Sequence, residues 1–114
     1  VQLSDEAQMD AVTAVSGSGP AYVFHLIETM AAAGEAQGLP AGLALQLARA
    51  TVSGAGQLAE ASGESPAQPR IHVTSPGGTT QAALQVLLHP ETGFPDLVTK
   101  AVSAAADRSR ELGK

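Results

Sequence analysis

Phe94-Pro95-Asp96-Leu97-Val98-Thr99-Lys100-Ala101-Val102-Ser103-Ala104-Ala105 repeats its apolar side chains at helical spacing. Phe94, Leu97, Val98, Ala101, Val102 and Ala105 fall at i, i+3, i+4 and i+7, one face of an α-helix. Lys100, Asp107, Arg108, Arg110 and Glu111 lie outside that stripe. Pro95 suits the first turn of a helix, where its missing N–H costs nothing. The same spacing recurs upstream, and no stretch alternates with period two for long enough to claim a strand. The sequence therefore predicts an all-α domain of about six helical elements.

Working outward, His89-Pro90-Glu91-Thr92-Gly93 reads as the loop before that helix. Leu84, Leu87 and Leu88 give an amphipathic segment over Gln81 to Leu88. Val73-Thr74-Ser75-Pro76-Gly77-Gly78-Thr79-Thr80 runs straight into it. Pro76 fixes its own φ and pushes Ser75 into an extended conformation. Gly77 and Gly78 permit a sharp turn and a close approach by a ligand. The amides that follow open a helix, so they lack intrahelical acceptors and sit at its positive pole. With the hydroxyls of Ser75, Thr79 and Thr80, they make a candidate site for a small anion, a carboxylate as well as a phosphate. Read locally, the same pattern is also that of an ordinary helix cap, and caps outnumber anion sites.

Farther upstream, Gly63 to Arg70 is a break containing Pro66 and Pro69, with a short helical turn from Pro66 towards Val73. A helix over about Pro40 to Ser62 would bury Ala44, Leu47, Ala48, Thr51, Ala55 and Leu58. Gly54 and Gly56 each cost such a helix about 1 kcal/mol relative to alanine, which points to close approach by another helix. The preceding helix, from Pro20 to about Gln37, carries Val23, Ile27, Met30 and Gly34 on one stripe and stops at Gly38. The first segment opens on Ser4-Asp5-Glu6, a capping serine and two acids suited to the helix dipole. It ends in the turn Ser16-Gly17-Ser18-Gly19-Pro20.

Composition narrows the function. The 114 residues fit one domain, 1–114, and only 3% are aromatic, so the core must be built from aliphatic side chains and many alanines. That favours close helix pairing and a second chain that completes the core. Net charge is −5, with six basic residues that never cluster beyond Arg108 and Arg110, which argues against a nucleic-acid partner. There is no cysteine, hence no disulfide and no thiol nucleophile, and a reducing cytoplasmic setting is compatible. The longest uncharged run, Ala11 to Ile27, contains Gly17, Gly19 and Pro20 and does not read as a membrane span. No basic region precedes an apolar run, so no signal peptide is expected, and Val1 is not an initiator methionine, so a piece of a longer protein is expected. His25, His72 and His89 lack the spacing of a metal pair, and no metal site is expected. His72, three residues before Ser75, is the one histidine near the glycine turn.

Four motifs occur in order: Asp10-Ala11-Val12-Thr13, Ser16-Gly17-Ser18-Gly19-Pro20-Ala21-Tyr22, Gly38-Leu39-Pro40, and Val73 to Thr80. With the ending Arg108-Ser109-Arg110-Glu111-Leu112-Gly113, the series resembles the C-terminal domain of pyrroline-5-carboxylate reductase over essentially the whole chain. The resemblance implies a helical dimerisation domain interlocked with a second subunit, with higher assembly from dimers allowed. It also implies an N-terminal Rossmann domain, absent from this chain, that binds NADPH or NADH. The implied reaction is hydride transfer to the C=N carbon of 1-pyrroline-5-carboxylate, giving L-proline, and this piece alone is expected to be inactive. By resemblance, the Thr80 hydroxyl would bond the ring nitrogen as the catalytic contact. Ser75, Gly77, Gly78, Thr79 and Thr80 would hold the substrate, Glu6 would favour its iminium form, and His72 would reach the cofactor. Between Pro66 and Val73 the family usually carries an apolar residue and an acid where this chain has Pro69 and Ile71, so a looser turn is expected there. Two other readings stay open: a related imino- or hydroxy-acid reductase domain, and a freestanding helical assembly module without catalysis.

Overall fold

The computed structural model describes residues 6–113, so the expected capping role of Ser4 and Asp5 lies outside the described residues. Six α-helices follow in order: α1 (Glu6–Val12), α2 (Gly19–Ala36), α3 (Ala41–Ser62), α4 (Ala67–His72), α5 (Thr79–Leu87) and α6 (Phe94–Leu112). No strand occurs among the described residues. The helices divide into two compact units. One comprises α1 with the last third of the chain from His72, and the other runs from Pro20 to Ile71.

In the first unit, α1 does not end at the glycine–serine turn but runs into a π-helical turn, Thr13–Gly17. Ser18 N–H reaches back five residues to the Thr13 carbonyl at 2.9 Å. This wider turn packs against α6, and Ala14 within it is fully buried. Helix α6 is tied to α1 directly, because the Ser109 hydroxyl donates to Asp10 Oδ1 at 2.6 Å. Its outer face carries ion pairs at helical spacing, Lys100–Asp96 at 2.9 Å and Arg108–Glu111 at 2.8 Å. Between α5 and α6 the chain is tightly folded: Gly93 is buried, and its N–H donates to the His89 carbonyl at 2.8 Å.

In the second unit, Gly38 ends α2 in the left-handed conformation (φ 101°), and Gly63 does the same for α3 (φ 66°). Only glycine adopts such angles without cost. Ala31, Ala44 and Ala48 form the buried cluster, with Ile27 half-buried against it. A Cβ on Gly34 would lie 3.3 Å from both Ala44 Cβ and Leu39 Cδ1, so α2 and α3 meet at nearly the closest possible distance there. Helix α4 forms despite Pro69. The proline is the third residue of the helix, where its N–H would lack an intrahelical acceptor in any case. The Arg70 N–H still bonds the Pro66 carbonyl at 3.2 Å.

The expected inner faces are only partly inner. Ala44 and Ala48 of α3 are buried, but Leu47 is 48% and Leu58 52% exposed. Val23, Phe24 and Met30 of α2 and Phe94, Leu97 and Val98 of α6 are exposed as well. Among the described residues nothing lies within 4 Å of a Cβ built on Gly54 or Gly56.

Candidate functional site

Helix α4 ends at His72 and α5 begins at Thr79, leaving 73–78 as the connecting turn. Pro76 and Gly77 occupy its two central positions. Gly77 sits at φ 72°, and the Gly78 N–H donates to the Ser75 carbonyl at 3.0 Å. A proline followed by a left-handed glycine, closed by that bond, is the pattern of a type II turn. A Cβ on Gly78 would come within 3.2 Å of the Ser75 carbonyl oxygen, so the closure is tight on its own backbone.

Gly78 is then the N-cap of α5, extended at φ −91°, ψ −175°, with no side-chain cap. Its carbonyl accepts the first helical bond, from Ala82 N–H at 3.2 Å. Thr79, Thr80 and Gln81 therefore hold the first three helical positions, whose amides lack intrahelical acceptors by geometry. Ser75 and Thr79 are exposed, and Thr80 is half-buried. The resemblance put Gly77 and Gly78 among the residues that would hold the substrate. In the structure both amides are engaged internally, Gly78 with Ser75 and Gly77 with the side-chain oxygen of Gln81. The donors left pointing from the helix end are those of Thr79 and Thr80, with that of Gln81 behind them.

The remaining candidates are placed as follows. His72, exposed, closes α4 just before the turn. Glu6 opens α1 and lines a cavity of about 510 Å³ together with Ala7, Met9, Asp10, Arg110 and Gly113. None of the turn residues is among the described residues lining that cavity. His25 pairs with Glu28 at 3.2 Å on the exposed face of α2. His89 has a role that sequence reasoning missed: its Nδ1 accepts the N–H groups of Glu91 (3.1 Å) and Thr92 (3.2 Å), organising the loop before α6. Among the described residues no cluster of potential metal ligands occurs, and no helix is long and apolar enough to cross a membrane.

Comparison with known proteins bears on this turn and the helices around it. A family model described as pyrroline-5-carboxylate reductase dimerisation matches residues 6–112. The chain is 51% identical over 112 residues to a pyrroline-5-carboxylate reductase of Pseudomonas aeruginosa, covering 98% of this chain and 40% of that protein. It is 50% identical over 109 residues to one from Pisum sativum, covering 96% of this chain and 39% of that one. Among solved structures, a pyrroline-5-carboxylate reductase from Coxiella burnetii superposes with a TM-score of 0.90 at 42% identity, over 98% of this chain and 41% of its own. A pyrroline carboxylate reductase from Plasmodium falciparum, solved with NADP bound, gives 0.87 at 35% identity over 97% of this chain and 42% of its own. The chain thus spans about 40% of the length of the curated relatives it matches.

Proposed function

This chain belongs to the pyrroline-5-carboxylate reductase dimerisation family, and from that premise we propose that it is the helical, substrate-holding part of an enzyme reducing 1-pyrroline-5-carboxylate to L-proline. The observation that carries the reading is the family match over residues 6–112, which includes a glycine turn opening directly onto a helix start whose N-cap residue has no side chain. The substrate is a small ring bearing a carboxylate. Amides of Thr79 and Thr80, at the positive end of α5, complement that carboxylate, and the Ser75 hydroxyl adds a donor. Gly77 and Gly78 contribute by shape, keeping Cβ atoms away from the ring. The Thr80 hydroxyl, one turn position into the helix, bonds the ring nitrogen.

A bound nicotinamide cofactor supplies the hydride. This chain's residues supply orientation: they hold the imine carbon towards that hydride and the ring nitrogen towards a proton. The proton arrives from water or through the Thr80 hydroxyl. His72 suits a ribose or phosphate of the cofactor, since it is exposed, adjoins the turn and carries both a donor and an acceptor. Glu6 acts at longer range, its carboxylate favouring the protonated imine.

The chain also joins a second copy of itself. The apolar side chains left exposed on α2, α3 and α6 support this, as does the family description.

The test is turnover of pyrroline-5-carboxylate with NADPH or NADH by the full-length chain, wild type beside Thr80→Ala. Loss of a hydrogen bond to a charged ring nitrogen is expected to lower kcat about 10- to 100-fold with the fold intact. Equal kcat in both would remove Thr80 from the mechanism. An inactive wild type would favour a related imino- or hydroxy-acid substrate, or an assembly role alone.

A further inference from the structure

The turn before α5 is bonded to itself by Gly78 and Ser75, but that bond does not fix it to the helix. The usual fixing group is an N-cap side chain, and the N-cap is glycine. A different side chain makes the connection. Gln81, at the third helical position and half-buried, turns its carboxamide back so that Oε1 accepts the N–H of Gly77. This is half of a capping box, displaced one residue upstream.

Gly77 is where such a bond has the most effect. It is exposed, has no side chain and sits at φ 72°, so it is the least restrained residue of the turn. Binding its amide fixes the peptide between Pro76 and Gly77, and with it the direction in which Ser75 and the helix-end amides are presented. Without that bond the Gly77-Gly78 pair would sample other arrangements, and a ligand would have to order them on binding.

We propose that Gln81 is a positioning residue for the substrate turn: through its carboxamide oxygen it holds Gly77 so that Ser75, Thr79 and Thr80 are pre-arranged for the imino acid's carboxylate. The proposal rests on the reading of this turn as the substrate site. Gln81 acts through Gly77 rather than on the reacting atoms, so its effect falls on substrate binding and not on hydride transfer.

The experiment compares wild type, Gln81→Ala and Gln81→Glu in the full-length chain. It measures steady-state kinetics together with hydrogen–deuterium exchange of the peptide covering residues 73–81. Removing one neutral hydrogen bond that preorganises the turn is expected to raise KM for pyrroline-5-carboxylate about three- to tenfold in Gln81→Ala. KM for NADPH and kcat stay within about twofold. Exchange in the turn quickens in Gln81→Ala and stays slow in Gln81→Glu, which keeps an acceptor oxygen at the same reach. Equal exchange in all three proteins overturns the proposal, as does an unchanged KM in Gln81→Ala when the turn has loosened. A wild type that does not turn over pyrroline-5-carboxylate overturns the functional reading, and with it the substrate role of Gln81, even where exchange responds.

Discussion

At the scale of single residues, the glycines separate by what surrounds them. A Cβ on Gly93 would lie 2.2 Å from the Leu87 carbonyl oxygen and 2.7 Å from that of His89. Both obstacles are backbone, so neither can rotate away. Gly93→Ala is expected to destabilise the protein by about 2–3 kcal/mol, read from denaturant midpoints, because the α5–α6 loop must open to admit the methyl. Gly34→Ala meets side chains at 3.3 Å instead. Their small adjustment opposes the gain of about 1 kcal/mol from replacing a mid-helix glycine, so a change near zero is expected there. Ser109 offers a different test. Its hydroxyl donates to the half-buried Asp10 carboxylate, and Ser109→Ala is expected to cost about 1.5–3 kcal/mol by leaving that acceptor short of a donor. Much of the candidate site was legible at this scale. Ser75, Gly77, Gly78, Thr79 and Thr80 declare a turn and a helix start by residue type alone. The roles of Gln81 and His89 were not read, since both depend on a side chain folding back on a nearby amide. For Gln81 a signal existed: a glutamine three residues after an N-cap is a known backward-reaching cap.

At the scale of elements, the ends of helices were read more securely than the joints between them. Gly38 and the proline starts at Pro40 and Pro95 mark boundaries by conformational preference, and the observed helices begin or end within a residue or two of them. The π-helical turn at Thr13–Gly17 left no mark. Widening five residues from an i→i+4 to an i→i+5 pattern shifts the apolar face too little to show in so short a segment. Its position next to Ser16-Gly17-Ser18-Gly19-Pro20 made an ordinary stop look sufficient. The segment before the glycine turn forms a helix despite its proline, for a reason of register. Proline disrupts a helix interior, but Pro69 falls in the first turn of α4. Moving the proline one turn onward would restore the disruption. His72→Pro is therefore expected to shorten α4 and raise KM for the cofactor and the imino acid together, whereas His72→Ala should affect the cofactor alone. Steady-state titration of each substrate separates the two outcomes.

At the scale of the whole molecule, the difficulty is what holds it together. Its buried side chains, among the described residues, are four alanines, while leucines, valines and both phenylalanines lie exposed. Burying a large aliphatic or aromatic side chain contributes about 1.5–3 kcal/mol, and an alanine much less. Ordering each residue costs about 1–2 kcal/mol of backbone entropy. Those exposed faces support the proposed pairing, in which a second copy would supply matching faces of the same kind. A second copy would give Gly54 and Gly56 a purpose that no described residue gives them, since none lies within 4 Å of a Cβ built on either. If α3 faces free solvent, Gly56→Ala should stabilise the protein by about 1 kcal/mol through helix propensity. If a second copy packs there, the added methyl should weaken association instead. Two measurements decide between these. Sedimentation should show a dimer or larger species, and the thermal midpoint should rise with protein concentration, as it must when folding and association are linked. Gly56→Ala should shift both towards dissociation. A monomer whose midpoint ignores concentration, and which Gly56→Ala makes more stable, would mean that the exposed faces are not an interface between copies.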